Sequence, residues 1–202
     1  MNSRAALRRS LKSNLHGALD KAELRLHYQP QFNLASARIV GAEALIRWTS
    51  PEQGLIAPDQ SLPIAEQTDL SMTIGRWVLT EDCRRSLAWQ ASGLGPLPIS
   101  INVSAAQFRH PALANNVRDT LQANGADPDA SIIVDMAIGL GKTLGHRVVA
   151  CGVEAAEQMS LRQAGACDTA QGYYLSYPLC ANDFALLLAR KHWPLSDENG
   201  VR

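Results

Sequence analysis

The chain has 202 residues, with 19 Lys and Arg against 19 Asp and Glu, 46% hydrophobic residues, 5% aromatics, 14 Gly and 10 Pro, the composition of an ordinary soluble globular protein. A formal net charge of zero excludes the broad basic field that sequence-independent nucleic-acid binding depends on, and the acidic excess of a disordered solvating chain. No apolar run approaches the roughly 20 residues that span a bilayer, and Met1 to Leu15 lacks the continuous apolar core of a secretory signal; the expectation is a cytoplasmic protein with no membrane span. The cysteines Cys83, Cys151, Cys167 and Cys180 show neither C-x-x-C spacing nor paired histidines at zinc-finger distance, and are expected to be reduced.

In chain order, Leu7, Leu11, Leu15 and Leu19 recur every four residues among Arg4, Arg8, Arg9 and Lys12, which predicts an amphipathic connector helix over residues 1–20. Leu24 to Tyr28 and Ile39 to Trp48 read as strands. The few residues between them cannot hold a crossover helix of about a dozen, so the pair is expected to be antiparallel. Pro58 and Asp59 open a helical stretch, and a further helix carries Ile74, Trp77, Val78, Cys83 and Leu87 until Gly93 and Gly95 stop it. Pro98 to Val103 reads as a buried strand, and Leu113, Val117 and Leu121 as the stripe of a helix ending at Asn124-Gly125. Another helix is expected through Ile133, Met136, Ala137, Leu140 and Leu144. Then come a strand at Val148 to Val153, a helix at Ala156 to Ala164, a strand at Ala170 to Leu175 and a closing helix at Phe184 to Leu188. A polar tail occupies residues 192–202. After its opening hairpin the chain alternates strand and helix, which argues for a parallel α/β sheet or barrel.

One nucleotide motif fails on spacing. Gly139-Leu140-Gly141-Lys142-Thr143 ends like a phosphate-binding loop, but the pattern requires a glycine where Met136 stands, and the segment is a helix interior rather than a strand-to-helix turn. The chemistry-bearing residues lie instead at the predicted strand ends: Tyr28-Gln29-Pro30, Glu43-Ala44-Leu45-Ile46-Arg47-Trp48, Ile101-Asn102-Val103-Ser104, Ala150-Cys151-Gly152-Val153-Glu154 and Gln171-Gly172-Tyr173-Tyr174.

This ordered series resembles the EAL domain, the bacterial family whose members hydrolyse the second messenger cyclic di-GMP, with the signature tripeptide present as Glu43-Ala44-Leu45. The resemblance runs from Leu24 to about Ala189. It implies a TIM-like (βα) barrel with an antiparallel first strand and a two-metal phosphodiesterase site at the C-terminal strand ends. By the same resemblance Glu43 and Asn102 match metal ligands, while Gln29, Leu45, Arg47 and Gln171 match positions that hold the ligand. Glu154 matches the second Glu of the A-E-G-V-E motif, whose first Glu is replaced by Cys151, a thiol too soft to serve Mg²⁺ as a carboxylate does.

The pattern also breaks in length. A full barrel takes about 250 residues, whereas Leu24 to Ala189 is 166 residues; a deficit of roughly 80 is between two and three βα units of about 30 residues each. Between Asn124-Gly125 and Ile132-Ile133-Val134-Asp135 the family carries three strand–helix units that this chain omits, and with them a metal-binding Glu, an Asp-Asp pair and a catalytic Lys. The adjacent acidic pairs Glu81-Asp82 and Asp197-Glu198 are expected to face solvent.

The expectation is therefore an α/β protein, an incomplete TIM-like barrel lacking about three central βα units, with a truncated EAL domain at residues 21–191. Glu43 and Asn102 are a vestigial metal set, and Glu154 is vestigial too. One carboxylate cannot offset two divalent cations, so the chain is expected to be catalytically inactive and to regulate by binding a ligand or a protein. No cofactor is required, and Mg²⁺ or Mn²⁺ is the ion for any residual site. The partners are cyclic di-GMP and a homodimer mate or other protein covering the open sheet edges. The alternative is a metal-dependent phosphodiesterase producing the linear dinucleotide, its missing ligands supplied by a partner chain.

Overall fold

A computed structural model describes residues 14–15, 17–56, 65, 70–104, 107, 110–125, 149–150, 169–173 and 175–190. The elements among them are β1 (Leu24–Asn33), β2 (Arg38–Ser50), β3 (Gly54–Ile56), α1 (Leu70–Ala91), β4 (Ile99–Ile101), α2 (Leu113–Ala123), β5 (Val149–Ala150), β6 (Thr169–Ala170), β7 (Leu179–Cys180) and α3 (Ala181–Ala189). The strands are ordered β3-β2-β1-β6-β5, with β4 added to β2 and β7 to β1. β1 is antiparallel to β6 and β7, whereas β5 and β6 are parallel. Only four residues join β1 to β2, a link that permits antiparallel pairing alone. The antiparallel first strand and the later parallel pairing are thus as the sequence predicts. No helix among the described residues is long and apolar enough to cross a membrane.

The chain divides into two compact units. The first comprises Met1–Leu26, Ile46–Leu87 and Ile101–Thr143. Its largest buried side chain, Trp48, is 1% exposed, and the indole Nε1 donates to Glu23 Oε2 at 2.9 Å, so burying the ring does not strand its polar atom. Glu23 also accepts the Thr49 N–H on its backbone carbonyl, at 2.9 Å. β2 turns into β3 through Pro51–Gln53, with Ser50 opposite Gly54 and Trp48 opposite Ile56. Gly54 has φ +70°, a value that a residue with a Cβ adopts only with strain.

In α1 the ion pairs of Glu81 with Arg84 and Arg85, both at 2.8 Å, lie on the helix surface. Burial alone would raise the Glu81 carboxyl, but the hydrogen bonds and charges of the two guanidinium groups outweigh it and hold the pKa below its ordinary value. Asp82, expected to face solvent, is 7% exposed. The helical repeat explains the correction, since Asp82 stands one turn beyond the buried Val78 on the same stripe. Downstream of β4, Ser104 and Gln107 form a reciprocal capping box: Ser104 N–H donates to Gln107 Oε1 at 2.9 Å and Gln107 N–H to Ser104 Oγ at 3.2 Å. The Gln107 amide lies against Gly75 of α1, where a Cβ would overlap its Nε2. Helix α2 ends as expected, with Gly125 at φ +73° and its N–H on Gln122 O at 3.1 Å.

The second unit comprises His27–Leu45, Ala88–Ser100 and Leu144–Arg202. Its core includes a cluster of Tyr28, Trp89 and Phe184: Tyr28 meets Trp89 edge-on at 4.7 Å between centroids, and Phe184 packs at 5.6 Å from Tyr28 and 5.2 Å from Trp89. The end of α1 closes in a Schellman motif, with Leu94 N–H on Trp89 O at 3.1 Å, Gly93 N–H on Gln90 O at 2.9 Å and Gly93 at φ +80°. The β1–β2 turn is pinned by Asn33, whose Oδ1 accepts both the N–H and the hydroxyl of Ser36 at 2.9 Å; Ala37 follows in the left-handed region at φ +54°.

Two strand expectations are corrected. Pro98 to Val103 is not a buried strand: β4 covers only Ile99–Ile101, Ser100 is exposed, and Val103 is 48% exposed. Ala170 to Leu175 is not one strand either. β6 stops at Ala170 because the Gly172 carbonyl accepts both the Leu175 and the Ser176 N–H at 3.0 Å, folding the chain into a turn. The expected helices at Pro58, at Ile133 to Leu144 and at Ala156 to Ala164, most of residues 1–20, and the tail 192–202 lie outside the described residues. Cys83 and Cys180 are free thiols, as expected.

Candidate functional site

Four polar side chains of the second unit converge from three stretches of chain. Strand alternation puts Gln29 and Gln31 on one side of β1, Glu43 comes from the middle of β2, and Gln171 stands one residue past β6. The Gln171 amide is the hub. Its Nε2 donates to Gln29 Oε1 at 2.9 Å and to Glu43 Oε2, and its Oε1 accepts from Gln31 Nε2 at 3.0 Å. Both donor hydrogens and the acceptor of this amide are thereby used. Gln29 passes the chain of bonds on, donating from Nε2 to the Ser176 carbonyl at 3.0 Å. Gln29 and Gln171 are 6% and 5% exposed, a depth at which unpaired amides would each cost about 1–3 kcal/mol. Glu43 is half-buried and takes a charge-assisted bond from Gln171.

Gly41 makes room for this arrangement. A Cβ there would meet Gln31 Oε1 at 2.8 Å and the Pro98 carbonyl at 3.2 Å, so a larger residue would push the Gln31 amide away from Gln171. Gln31 and Gly41 are site residues that the sequence reading missed. The alternation of β1, which puts residue 31 beside residue 29, carried the signal.

Of the residues singled out from sequence, the structure brings Gln29, Glu43 and Gln171 together. Leu45 lies half-buried on β2. Arg47 is also half-buried on β2 and donates from Nη1 to the Ile46 carbonyl at 2.9 Å. Asn102 is exposed just beyond β4. Glu154 and Cys151 lie outside the described residues. Among the described residues no three His, Cys, Asp or Glu side chains are grouped to hold a metal ion. Among the described residues, the cluster places the amides of Gln29, Gln31 and Gln171 around Glu43, with a Gln171 N–H aimed at the carboxylate.

An α/β sheet with an antiparallel first strand, later parallel pairing and a polar cluster by a strand end is the architecture of a (βα) barrel. The EAL domain family model matches residues 12–136, and this chain belongs to the EAL domain family. It is 41% identical over 133 residues to the bifunctional diguanylate cyclase/cyclic di-GMP phosphodiesterase MucR of Pseudomonas aeruginosa, covering 66% of this chain and 19% of that protein. The first curated relatives are much longer, and this chain spans between 15% and 20% of their lengths. A solved structure of the PaMucR phosphodiesterase in complex with c-di-GMP superposes with TM-score 0.76 at 28% identity, over 87% of this chain and 99% of that one. The FimX EAL domain of Pseudomonas aeruginosa bound to c-di-GMP shares the fold at TM-score 0.66 and 16% identity, over 84% and 96% of the two chains.

The partial coverage fits an internally shortened member. The alignment to the oxygen sensor protein DosP of Escherichia coli, 27% identical, runs over 253 positions and covers 32% of that protein, yet takes in 91% of this chain. Since 91% of 202 residues is about 184, about 70 positions face no residue here, close to the deficit of roughly 80 expected from barrel length.

Proposed function

We propose that this chain is an EAL domain that binds cyclic di-GMP without cleaving it and acts in cyclic di-GMP signalling as a receptor or regulator. The observation that carries the reading is the Gln29–Glu43–Gln171 cluster. Side chains matching the family's ligand- and metal-binding positions are held together by sequence-distant elements, and among the described residues of the cluster Glu43 supplies the carboxylate. A nucleotide would take up amide donors and acceptors of this cluster by exchange for the bonds they now make to one another, and the described residues around it carry too little negative charge for two-metal activation of water. By the motif match alone, Arg47 is proposed as a fork donor to phosphate and Leu45 as an apolar contact, and no metal is required. A second copy or another protein covering open sheet edges belongs to the same proposal.

The test pairs isothermal titration with a hydrolysis assay on cyclic di-GMP, with and without Mn²⁺. The expected result is saturable, metal-independent binding with no linear product. Metal-dependent cleavage abolished by Glu43→Ala would overturn it, as would the absence of binding at millimolar dinucleotide. The second reading, a phosphodiesterase completed by a partner chain's carboxylates, is favoured by the 41% identity to MucR. It predicts specific activity that rises steeply with protein concentration.

A further inference from the structure

The loop after β6 carries two side chains that the glutamine cluster leaves unused. Tyr173 and Tyr177 are 52% and 55% exposed, and their rings stack with centroids 4.8 Å apart and planes 25° from parallel. The loop beneath them is fixed at several points. Gln171 is held by the cluster; the Leu175 and Ser176 N–H groups close on Gly172 O at 3.0 Å; Ser176 O is bound by Gln29 at 3.0 Å. Pro178 O stands 3.4 Å from His27 Nδ1, Leu175 is buried at 3% exposure, and Leu179 pairs with Tyr28 in β7.

An ordered loop therefore presents a pre-stacked aromatic pair to solvent. Two rings at 4.8 Å leave no room for a third between them, so a planar ligand would extend the stack on an outer face. Aromatic rings serve nucleobases in this way because every base has a π-face, and a fixed platform forfeits little entropy on binding. The residue two positions before the first ring is Gln171, the hub of the polar cluster.

We infer that Tyr173 and Tyr177 form a stacking platform for a purine nucleobase. This rests on reading the Gln29–Glu43–Gln171 cluster as a nucleotide site. The experiment titrates the full chain with 5′-GMP and with cyclic di-GMP, reading affinity by calorimetry and the guanine H8 resonance by NMR. Tyr177→Leu and Tyr173→Leu remove a ring while keeping apolar bulk, and Tyr177→Phe keeps the ring.

The expected result is an upfield H8 shift with the unaltered protein and with Tyr177→Phe. Each Leu variant loses that shift and binds about fivefold to about a hundredfold more weakly. Leu variants that melt cooperatively yet bind and shift H8 like the parent would overturn the platform while leaving the cluster reading intact. If binding needs the rings but is unchanged in Gln171→Ala, the platform stands and the cluster reading falls. If the unaltered protein binds neither nucleotide, both fall.

Discussion

Truncating Gln171 to Ala tests the cluster at its hub. The substitution removes the donor to Gln29 Oε1, the donor to Glu43 and the acceptor of Gln31 at once. Gln29 is 6% exposed, so its orphaned oxygen costs about 1–3 kcal/mol. Glu43 and Gln31 are half-buried and regain part of their loss from water, which puts the sum at about 3 kcal/mol rather than three full bonds. For a chain of this size each kcal/mol shifts Tm by about 2–4 °C, so the expected fall is about 6–12 °C. Thermal melts at neutral pH measure it, with Glu43→Gln and the double variant completing a cycle. A coupling of about 1 kcal/mol or more between the two positions is expected of direct partners. A fall under 2 °C, or additive effects, would refute the hydrogen-bonded hub.

Gly75→Ala sets two effects against each other: helix propensity favours Ala by about 1 kcal/mol, while the new Cβ must displace the Gln107 amide and open the capping box. Net destabilisation is expected in urea melts, and a gain would show that the box contributes little. Ala37→Gly relieves a left-handed backbone at φ +54° and should stabilise by up to about 1 kcal/mol; a loss would mean that the turn does not require that conformation. Burial, with the neighbouring Asp82 charge, raises the Cys83 thiol from 9.0 to about 11. Because the folded thiol keeps its proton while the unfolded one ionises, this group's contribution is complete below pH 9 and fades as pH rises toward 11. Peptide-mapped alkylation at pH 8 should label Cys180 well before Cys83, and equal labelling would contradict the burial.

The larger elements were legible because their signals are periodic. The 3.6-residue stripes of α1 and α2 and the short β1–β2 link each allow one local solution, and the motif order was enough to suggest the family. Of the two- and three-residue strands, β4 and β5 fall within segments read as strands, whereas β3 and β7 were not legible. β3 and β7 exist only through partners supplied by the fold, and Pro98 to Val103 has the composition of a core strand without the neighbours that would bury it. At the site, Gln29, Glu43 and Gln171 were identified by motif, but Gln31 and Gly41 required knowing which side chain crosses which strand. Ser104 and Gln107 bore a capping-box spacing in plain sight, within a stretch read for its metal-ligand resemblance instead. Asp82 shows the converse, a carboxylate whose place on the helical repeat outranks its charge.

The pairings of His27 with Cys180 and Tyr28 with Leu179 span 153 and 151 positions of sequence respectively. β1 therefore waits for about 150 further residues to be synthesised before it gains β7 as a neighbour, so folding depends on long-range closure and is expected to be slow. Closure entropy, however, grows only with the logarithm of the intervening length. Restoring about 70 residues within that loop would raise the closure cost by only about 0.3 kcal/mol. Losing whole strand–helix units thus barely changes how hard the two ends are to bring together, and the ring of contacts around Tyr28 can close over a shorter chain much as over a longer one.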